Sequence, residues 1–358
     1  MVAGMSLTVR FNKAELATLS LARVGNPLRS EPLQTSRHLC RFEPEDAGLL
    51  THCFLKPFRS LDLHQLAHHS SLARNELYGC AGAIFENEDN LLEQGVRIAK
   101  HLYAKSHHPN IKSGDLCVAL IRNIGLGGRD DVRALSIIKS ESKEAFLQIS
   151  EHEGDLVLST QQGIYPDKID KGCLIIDHSQ EDGYWVYLFD KSGGNTHFWN
   201  RDFVGAQPVK SPDYLTRRYG ELCVAFAEKG LPEELGQEDR AEVARTAITY
   251  LNESEKFDEK EFKKATFSDE PELVQKFDEF KADYEKQRGG QKIDTSFPVS
   301  KEAAAKVKRR MKSRLRLDVG ADITFSSAFL HGAGELLERG HDEQRDMDYV
   351  KIYYYREL

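Results

Sequence analysis

The sequence predicts an α+β fold: mixed strands and helices in an N-terminal α/β part, a charged helical middle segment, and a small C-terminal α+β unit. Three observations carry this. Between 116 and 190, short strand-like apolar runs are separated by glycine turns. Between 90 and 106, apolar residues recur at helical spacing. From 231 to 287, Glu, Lys and Asp are mixed with Phe257, Phe262, Phe267, Phe277 and Phe280, a composition that usually marks surface helices docked by one stripe. A chain of 358 residues predicts two or three domains. The composition shifts put them at 1–230, 231–290 and 291–358, with Gly289-Gly290 at the last boundary.

The first segment, to about Ser60, alternates short runs such as Leu7 to Phe11 with a turn at Gly25-Asn26-Pro27. The stretch from Asp62 to Glu86 reads as largely helical. Asn90 to Ser106 is an amphipathic helix with Leu91, Leu92, Val96, Ala99, Leu102 and Tyr103 on one side, and Pro109 and Gly114 break the chain after it. Leu116 to Arg122 and Val132 to Lys139 then form a hairpin about Gly125-Leu126-Gly127-Gly128. A short helix is expected around Lys143 to Ile149, followed by strands at Asp155–Ser159, Gly172–His178 and Tyr184–Asp190, with Asp182-Gly183 as the turn. Asp213 to Lys229 reads as a helix ending at Gly230.

Composition bounds the function. Apolar residues make up 40% and charged residues 30%, enough for each domain to bury a core. No apolar run reaches the roughly 18 residues needed to cross a bilayer, and the first residues lack the apolar segment of a secretory signal, so a cytoplasmic protein without membrane contact is expected. Met5 is an alternative start. Cys40, Cys53, Cys80, Cys117, Cys173 and Cys223 are scattered without a C-x-x-C pair and read as reduced thiols, mostly in the core.

The most informative stretch is cationic. From Lys301 to Arg316 the chain reads KEAAAKVKRRMKSRLR, with Glu302 its only acid, in a protein of net charge -8. Ser300 is the expected N-cap, Glu302 sits well against the helix dipole, and Val307 and Met311 should face the core. The period then changes: Arg314 to Leu317 alternate as a half-buried strand does, with a turn at 318–322 and a return strand at Ile323–Phe329. Lys306, Lys308, Arg309, Arg310, Lys312, Arg314 and Arg316 are the candidate contacts to a polyanion, because segregated cations meet phosphates without reading bases. A solvated basic face, or one pairing with the protein's own acidic helices, is the competing explanation.

Other constellations are weaker. His64, His68 and His69 have helical i, i+4 spacing but no further ligand completes a metal motif, and His107-His108 reads as a loop. Gly125 to Arg129 joins two strands, not a strand to a helix, and reads as a turn before a phosphate cradle; Arg122, Arg129 and Arg133 beside it would add to a basic surface. Cys173 and His178 flank a strand without a third orienting group. No enzyme signature and no cofactor site emerges.

Several stretches taken in order resemble a known family. They are Asn75 to Tyr78 with Ala83 to Glu86, Gln94 to Tyr103, His108 to Leu116, Ile138 to Glu141, Ala145 to Leu147, Asp170 to Ile175, Phe198-Trp199 with Asp202-Phe203, Phe297 to Ser300, Leu315 to Asp318, Glu338 to Gly340 and Lys351 to Tyr354. Their joint order and spacing, from about residue 5 to the end, resembles the bacterial nucleoid-associated family typified by NdpA, also called YejK. It is closer to members carrying the H-P-N-I-K-S-G block. His331 to Leu337 departs by an inserted glycine from the H-G-N-x-E-L expected there. The resemblance implies a cytoplasmic, nucleoid-located, double-stranded-DNA-binding protein, with topoisomerase IV or another DNA-processing protein as partner. It carries no catalytic residues over.

Two classes of function remain open. One is a non-enzymatic DNA-binding protein working through the C-terminal basic surface, with a homodimer among its assemblies. The other is an interaction adaptor, partner of a topoisomerase or part of a defence system, using the acidic Phe-studded region. A hidden nuclease is a third and weaker reading.

Overall fold

Strand alternation organises the first part of the chain in this computed structural model, which describes residues 8–59, 61–191, 198–231, 237–268, 270–287, 292–310, 313–316, 320, 322–325 and 336–356. Two units result, Met1–Val209 and Lys210–Leu358. The fold is α+β, with antiparallel strand pairing throughout the described residues.

The first unit contains β1 (Val9–Arg10), β2 (Glu15–Val24), β3 (Gln34–Thr35), α1 (Ala47–Leu55), β4 (Leu63–Leu66), α2 (Glu76–Glu86), α3 (Leu91–Lys105), β5 (Gly114–Leu126), β6 (Arg129–Ser140), β7 (Glu144–His152), β8 (Asp155–Gly163), β9 (Lys171–Ile176), β10 (Trp185–Asp190) and β11 (Ala206–Pro208). Nine of these strands form one sheet in the order β11-β4-β10-β9-β6-β5-β2-β3, with β1 beside β5. The sheet is buried on both faces. Leu116, Val118, Leu120, Leu135, Ile137, Cys173, Ile175 and Val186 pack with α2 and α3, while their alternate neighbours Cys117, Ala119, Ile121, Ala134, Leu174 and Ile176 pack with Phe54 and Leu55 of α1. Central strands therefore read as nearly continuous apolar runs although they are antiparallel. Helix α3 buries Leu91, Gln94, Gly95, Ile98, Ala99 and Leu102, a 3.6-period stripe. Gly95 is required there: a Cβ would lie 2.6 Å from Ser20 Oγ in β2.

Turn chemistry matches the β5–β6 expectation. Leu126 pairs with Arg129, leaving Gly127 and Gly128 with φ of 56° and 90°, the left-handed pair of a two-residue hairpin turn.

Three local expectations change. The stretch from 62 to 86 is not mostly helix: β4 occupies Leu63–Leu66, and α2 starts only at Glu76, where Asn75 accepts a hydrogen bond from Tyr78 N at 3.0 Å. Pairing of β4 with both β10 and β11 overrides its local preference. Residues 143–149 form no helix either. They enter β7, which pairs residue for residue with β8 about Glu153-Gly154, both at positive φ. The segment before Ser60, read as short strands, contains the ten-residue β2 and the helix α1.

The second unit contains α4 (Pro212–Lys229), α5 (Gln237–Glu253), β12 (Lys256–Asp258), α6 (Glu259–Phe267), α7 (Pro271–Gln287), β13 (Ser296–Pro298), α8 (Lys301–Arg310), β14 (Ser313–Arg316), β15 (Asp322–Phe325), β16 (Leu337–Asp342) and β17 (Met347–Ile352). Its core is aromatic. Tyr219 of α4 sits 4.1 Å from Phe257 and 5.3 Å from Phe262 between ring centroids, and Phe226 meets Phe277 edge-on at 5.1 Å. Phe257, Phe262, Phe267 and Phe277 are buried. The phenylalanines of the charged segment thus anchor a core shared with α4 and with Val307 of α8.

Candidate nucleic-acid interface

Helix α8 is built as the sequence predicts. Ser300 accepts from Ala303 N through its Oγ at 3.2 Å, and its own backbone N–H donates to Thr216 Oγ1 at 3.0 Å. Ala303, Ala304 and Val307 are buried and define the inner side. A Cβ at Gly220 of α4 would lie 2.9 Å from a Val307 methyl, so the bare glycine permits the close approach.

With those three positions inward, helical geometry places residues 302, 306 and 309 on the outward arc. Lys306 and Arg309, one turn apart, are exposed there, and Lys308 is half-buried on its flank. Lys306 Nζ lies 2.7 Å from Glu302, whose carboxyl is held below its ordinary value chiefly by the hydrogen bond from Lys306. Lys308 and Arg309 have no ion-pair partner among the described residues. Apart from the more distant attraction of Glu302 for Arg309, their charge is open to solvent, which is the electrostatic condition for attracting an anion.

Lys301, counted in the same basic run, is engaged differently: its Nζ donates to the carbonyls of Asn252 and Ser254, both at 2.8 Å. Arg310 closes α8, and Arg314 and Arg316 hold alternate positions in β14, opposite Thr324 and Asp322. The side chains of Arg310, Arg314 and Arg316, and all of Met311, Lys312, residues 326–329 of the return strand and the His331 to Glu335 departure, lie outside the described residues.

The cations of the β5–β6 turn do not form an open basic surface. Arg122 Nε bonds Glu88 at 3.1 Å, Arg129 Nε bonds Asp131 at 3.0 Å, and Arg133 bonds Asp177 at 2.7 Å. The histidines are dispersed rather than chelating: His64 lies in β4 with Nδ1 3.0 Å from Asp62 O, and His68 stacks on His69 beyond the strand, 4.1 Å between rings. Among the described residues, no group of three His, Cys, Asp or Glu side chains is disposed to hold a metal. Cys173 is fully buried, its thiol pushed up by burial, and His178 packs edge-on against Trp185, so the two form no nucleophile–base pair.

The first unit also holds a polar feature that the sequence did not signal. Lys139 Nζ, fully buried, donates to Lys112 O at 2.6 Å and Glu141 Oε1 at 2.8 Å, and Lys171 lies 2.9 Å from Asp190. A cavity of about 420 Å³ adjoins it, lined by Lys105, His108, Lys112, Glu141, Asp170 and Lys171 among others. Its mixed charges, with Glu141 and Asp170 facing Lys112 and Lys171, give no clear sign preference for a ligand.

Among families of known proteins, the model described as nucleoid-associated protein YejK matches residues 23–342, a span that includes the sheet from β3 onward and α8. No curated protein matches the chain.

Proposed function

The chain belongs to the YejK family of nucleoid-associated proteins, and from that premise we propose that it binds double-stranded DNA through phosphate contacts with little sequence preference and without catalysis. The observation that carries this is the outer side of α8, where Arg309 on the outward arc and Lys308 on its flank stand without an ion-pair partner among the described residues, in an otherwise acidic chain. The contact set extends from Lys306, Lys308 and Arg309 to Arg310, Lys312, Arg314 and Arg316, the next cations along the chain. Such side chains displace condensed counterions from the duplex, and because phosphates are uniform the contacts read no base. Burial of Ala303, Ala304 and Val307 gives the cations a rigid base. In this reading the protein acts in the cytoplasm at the nucleoid, needs no cofactor, and has duplex DNA, topoisomerase IV or another DNA-processing protein, and a second copy of itself as partners.

Fluorescence anisotropy with duplex DNA at several salt concentrations tests it. Neutralising three to seven phosphates gives a log–log salt slope of about −3 to −6. Replacing Arg309, Arg310 and Lys312 together by Glu weakens binding at least ~10-fold on every sequence tried. Unchanged affinity in that variant refutes the site, and no binding by the wild type refutes the function. Cleavage of plasmid by the protein with Mg²⁺ or Mn²⁺ refutes the non-catalytic assignment.

An adaptor role is the second reading. It is favoured by the acids on the outer side of α7, such as Glu272 and Asp278, which leave a charged surface once the phenylalanines are inside. Charge reversal there, followed by a pull-down of DNA-processing proteins, separates the two: loss of a partner with intact DNA affinity supports the adaptor.

A further inference from the structure

The loop that follows β4 holds a small electropositive cluster in a fixed frame. Ala67 N donates to Gly205 O at 2.7 Å, and Asn75 Nδ2 donates to Ala67 O, Val204 O and Gly205 O at 2.9, 3.1 and 3.0 Å. Both ends of the loop are pinned, and Asn75 at its far end also caps α2. Between the pins stand His68, His69 and Arg74, and Lys105 in the last turn of α3 lies within electrostatic reach of them. His68 registers the local field: desolvation lowers its pKa, and the neighbouring His69, Arg74 and Lys105 lower it further. Its Nδ1 accepts from Ser70 N at 3.3 Å and lies 3.0 Å from Ser70 Oγ. The hydrogen of the neutral ring is therefore on Nε2, a donor with no partner among the described residues.

Arg74 and Lys105 are exposed and have no ion-pair partner among the described residues. The acids around them are engaged elsewhere. Glu76, next along the chain from Arg74, pairs with Arg97 at 2.5 Å. On the cavity side of Lys105, Glu141 holds Lys139 at 2.8 Å, Asp202 pairs with Arg201 at 2.8 Å, and Asp170 accepts from the backbone N–H of Glu141 and Ser142 at 2.6 and 3.2 Å. A cation at the end of α3 also suits the dipole of that helix, which accounts for Lys105 but not for Arg74 or the imidazole donor on the loop.

We propose that Arg74, Lys105 and the Nε2–H of His68 form a second phosphate contact for duplex DNA, carried by the first unit in addition to α8. A guanidinium grips phosphate oxygens in parallel, an ammonium adds a point charge, and a neutral imidazole adds one donor. The set matches one or two backbone phosphates and reads no base. The cluster stands on open surface, which favours the closely spaced charges of a duplex over a small anion that water competes for.

The inference rests on the reading that the protein binds DNA, and fluorescence anisotropy of the full chain on duplex DNA over a salt series tests it. Arg74→Glu with Lys105→Glu should weaken binding about 5- to 10-fold and make the log–log salt slope shallower by about 1 to 2. Neither side chain has a bond to lose among the described residues, so the thermal midpoint should be unchanged. Arg41→Glu with Arg59→Glu makes the same change in net charge beside Phe42 and Phe58, on the α1 side of the sheet, and should stay within about twofold of the wild type. A wild type that binds, with an Arg74/Lys105 variant of equal affinity and slope, would overturn this contact and leave the DNA reading standing. Equal losses in the two double variants would also overturn it, by reducing the effect to net charge. A wild type that binds no duplex would overturn both. Loss in the Arg74/Lys105 variant with none in the α8 triple variant would uphold this contact and remove α8.

Discussion

Lys301 Nζ donates to the carbonyl of Asn252 at 2.8 Å, and so ties the first turn of α8 to the C-terminal end of α5. Unpaired carbonyls collect at a helix C-terminus, where a cation is favoured by both hydrogen bonding and the macrodipole. The ammonium also reaches Ser254 O, also at 2.8 Å. One end of the basic run therefore holds the fold together, while Lys308 and Arg309 further along have no ion-pair partner among the described residues.

Two substitutions should separate these roles. Lys301→Ala should lower stability by about 1 kcal/mol in urea titration and leave DNA affinity within about twofold. Arg309→Glu should do the reverse, weakening DNA several-fold with an unchanged unfolding midpoint. Equal DNA loss in both would mean that Lys301 reaches phosphate after all.

Phe257 distinguishes core from contact surface in the charged segment. Its ring stacks on Phe297 at 4.7 Å and is fully buried. Phe257→Ala should cost about 3–5 kcal/mol in chemical denaturation, the range for a large buried aromatic. A loss below about 1 kcal/mol would show that the ring is available to a partner.

Lys139 and Glu141 form an ion pair with both side chains essentially out of solvent. Burial lowers the Lys139 pKa, and Glu141 opposes that shift. Lys139→Met leaves the carboxylate only the longer contact to Lys171 at 3.5 Å, and should cost about 3 kcal/mol. Adding Glu141→Gln removes the stranded charge. The double variant should then be more stable than Lys139→Met alone in urea titration, with a coupling of about 1–3 kcal/mol. Strict additivity would place the pair in effective contact with water.

His101 should impose an acid limit on the first unit. Its Nε2 meets Phe203 O at 3.0 Å, and burial, the dominant cause, lowers its pKa below the ordinary 6.5. The unfolded chain then takes up a proton at a higher pH than the native one. Stability from this group is complete above about pH 6.5 and declines as pH falls toward the native value. In His101→Gln, thermal midpoints measured from pH 7 to pH 5 should fall less steeply than in the wild type. Parallel curves would remove His101 from the acid response.

The sequence announced what is local. The amphipathic helix α3, the Gly127-Gly128 turn and the Ser300 cap follow from spacing within a few residues, and the structure contains all three, although the buried side of α3 runs through Gln94, Gly95 and Ile98 in place of Leu92, Val96 and Tyr103. It concealed what depends on distant partners. β4 is a strand because β10 and β11, far along the chain, hydrogen-bond to it, and β7 because β8 returns beside it about a Glu-Gly turn. The candidate interface divides the same way. An excess of cations is visible by counting, but the neutralisation of Arg122 by Glu88 and the use of Lys301 by α5 depend on residues that meet only after folding. The phenylalanines of α6 and α7 illustrate the converse: their spacing was legible, and the shared core with α4 that absorbs them was not.

The margins of the nine-stranded sheet have a consequence for solubility. One margin is β3, two residues long, and the other is β11, three residues ending in Pro208, which has no amide hydrogen to give. At β3 and β11 themselves a passing β-strand finds only two or three residues to extend, so these margins are poor seeds for amyloid-like growth. The fold thus keeps strongly apolar strands such as β5 and β6 in the interior of the sheet, away from its margins.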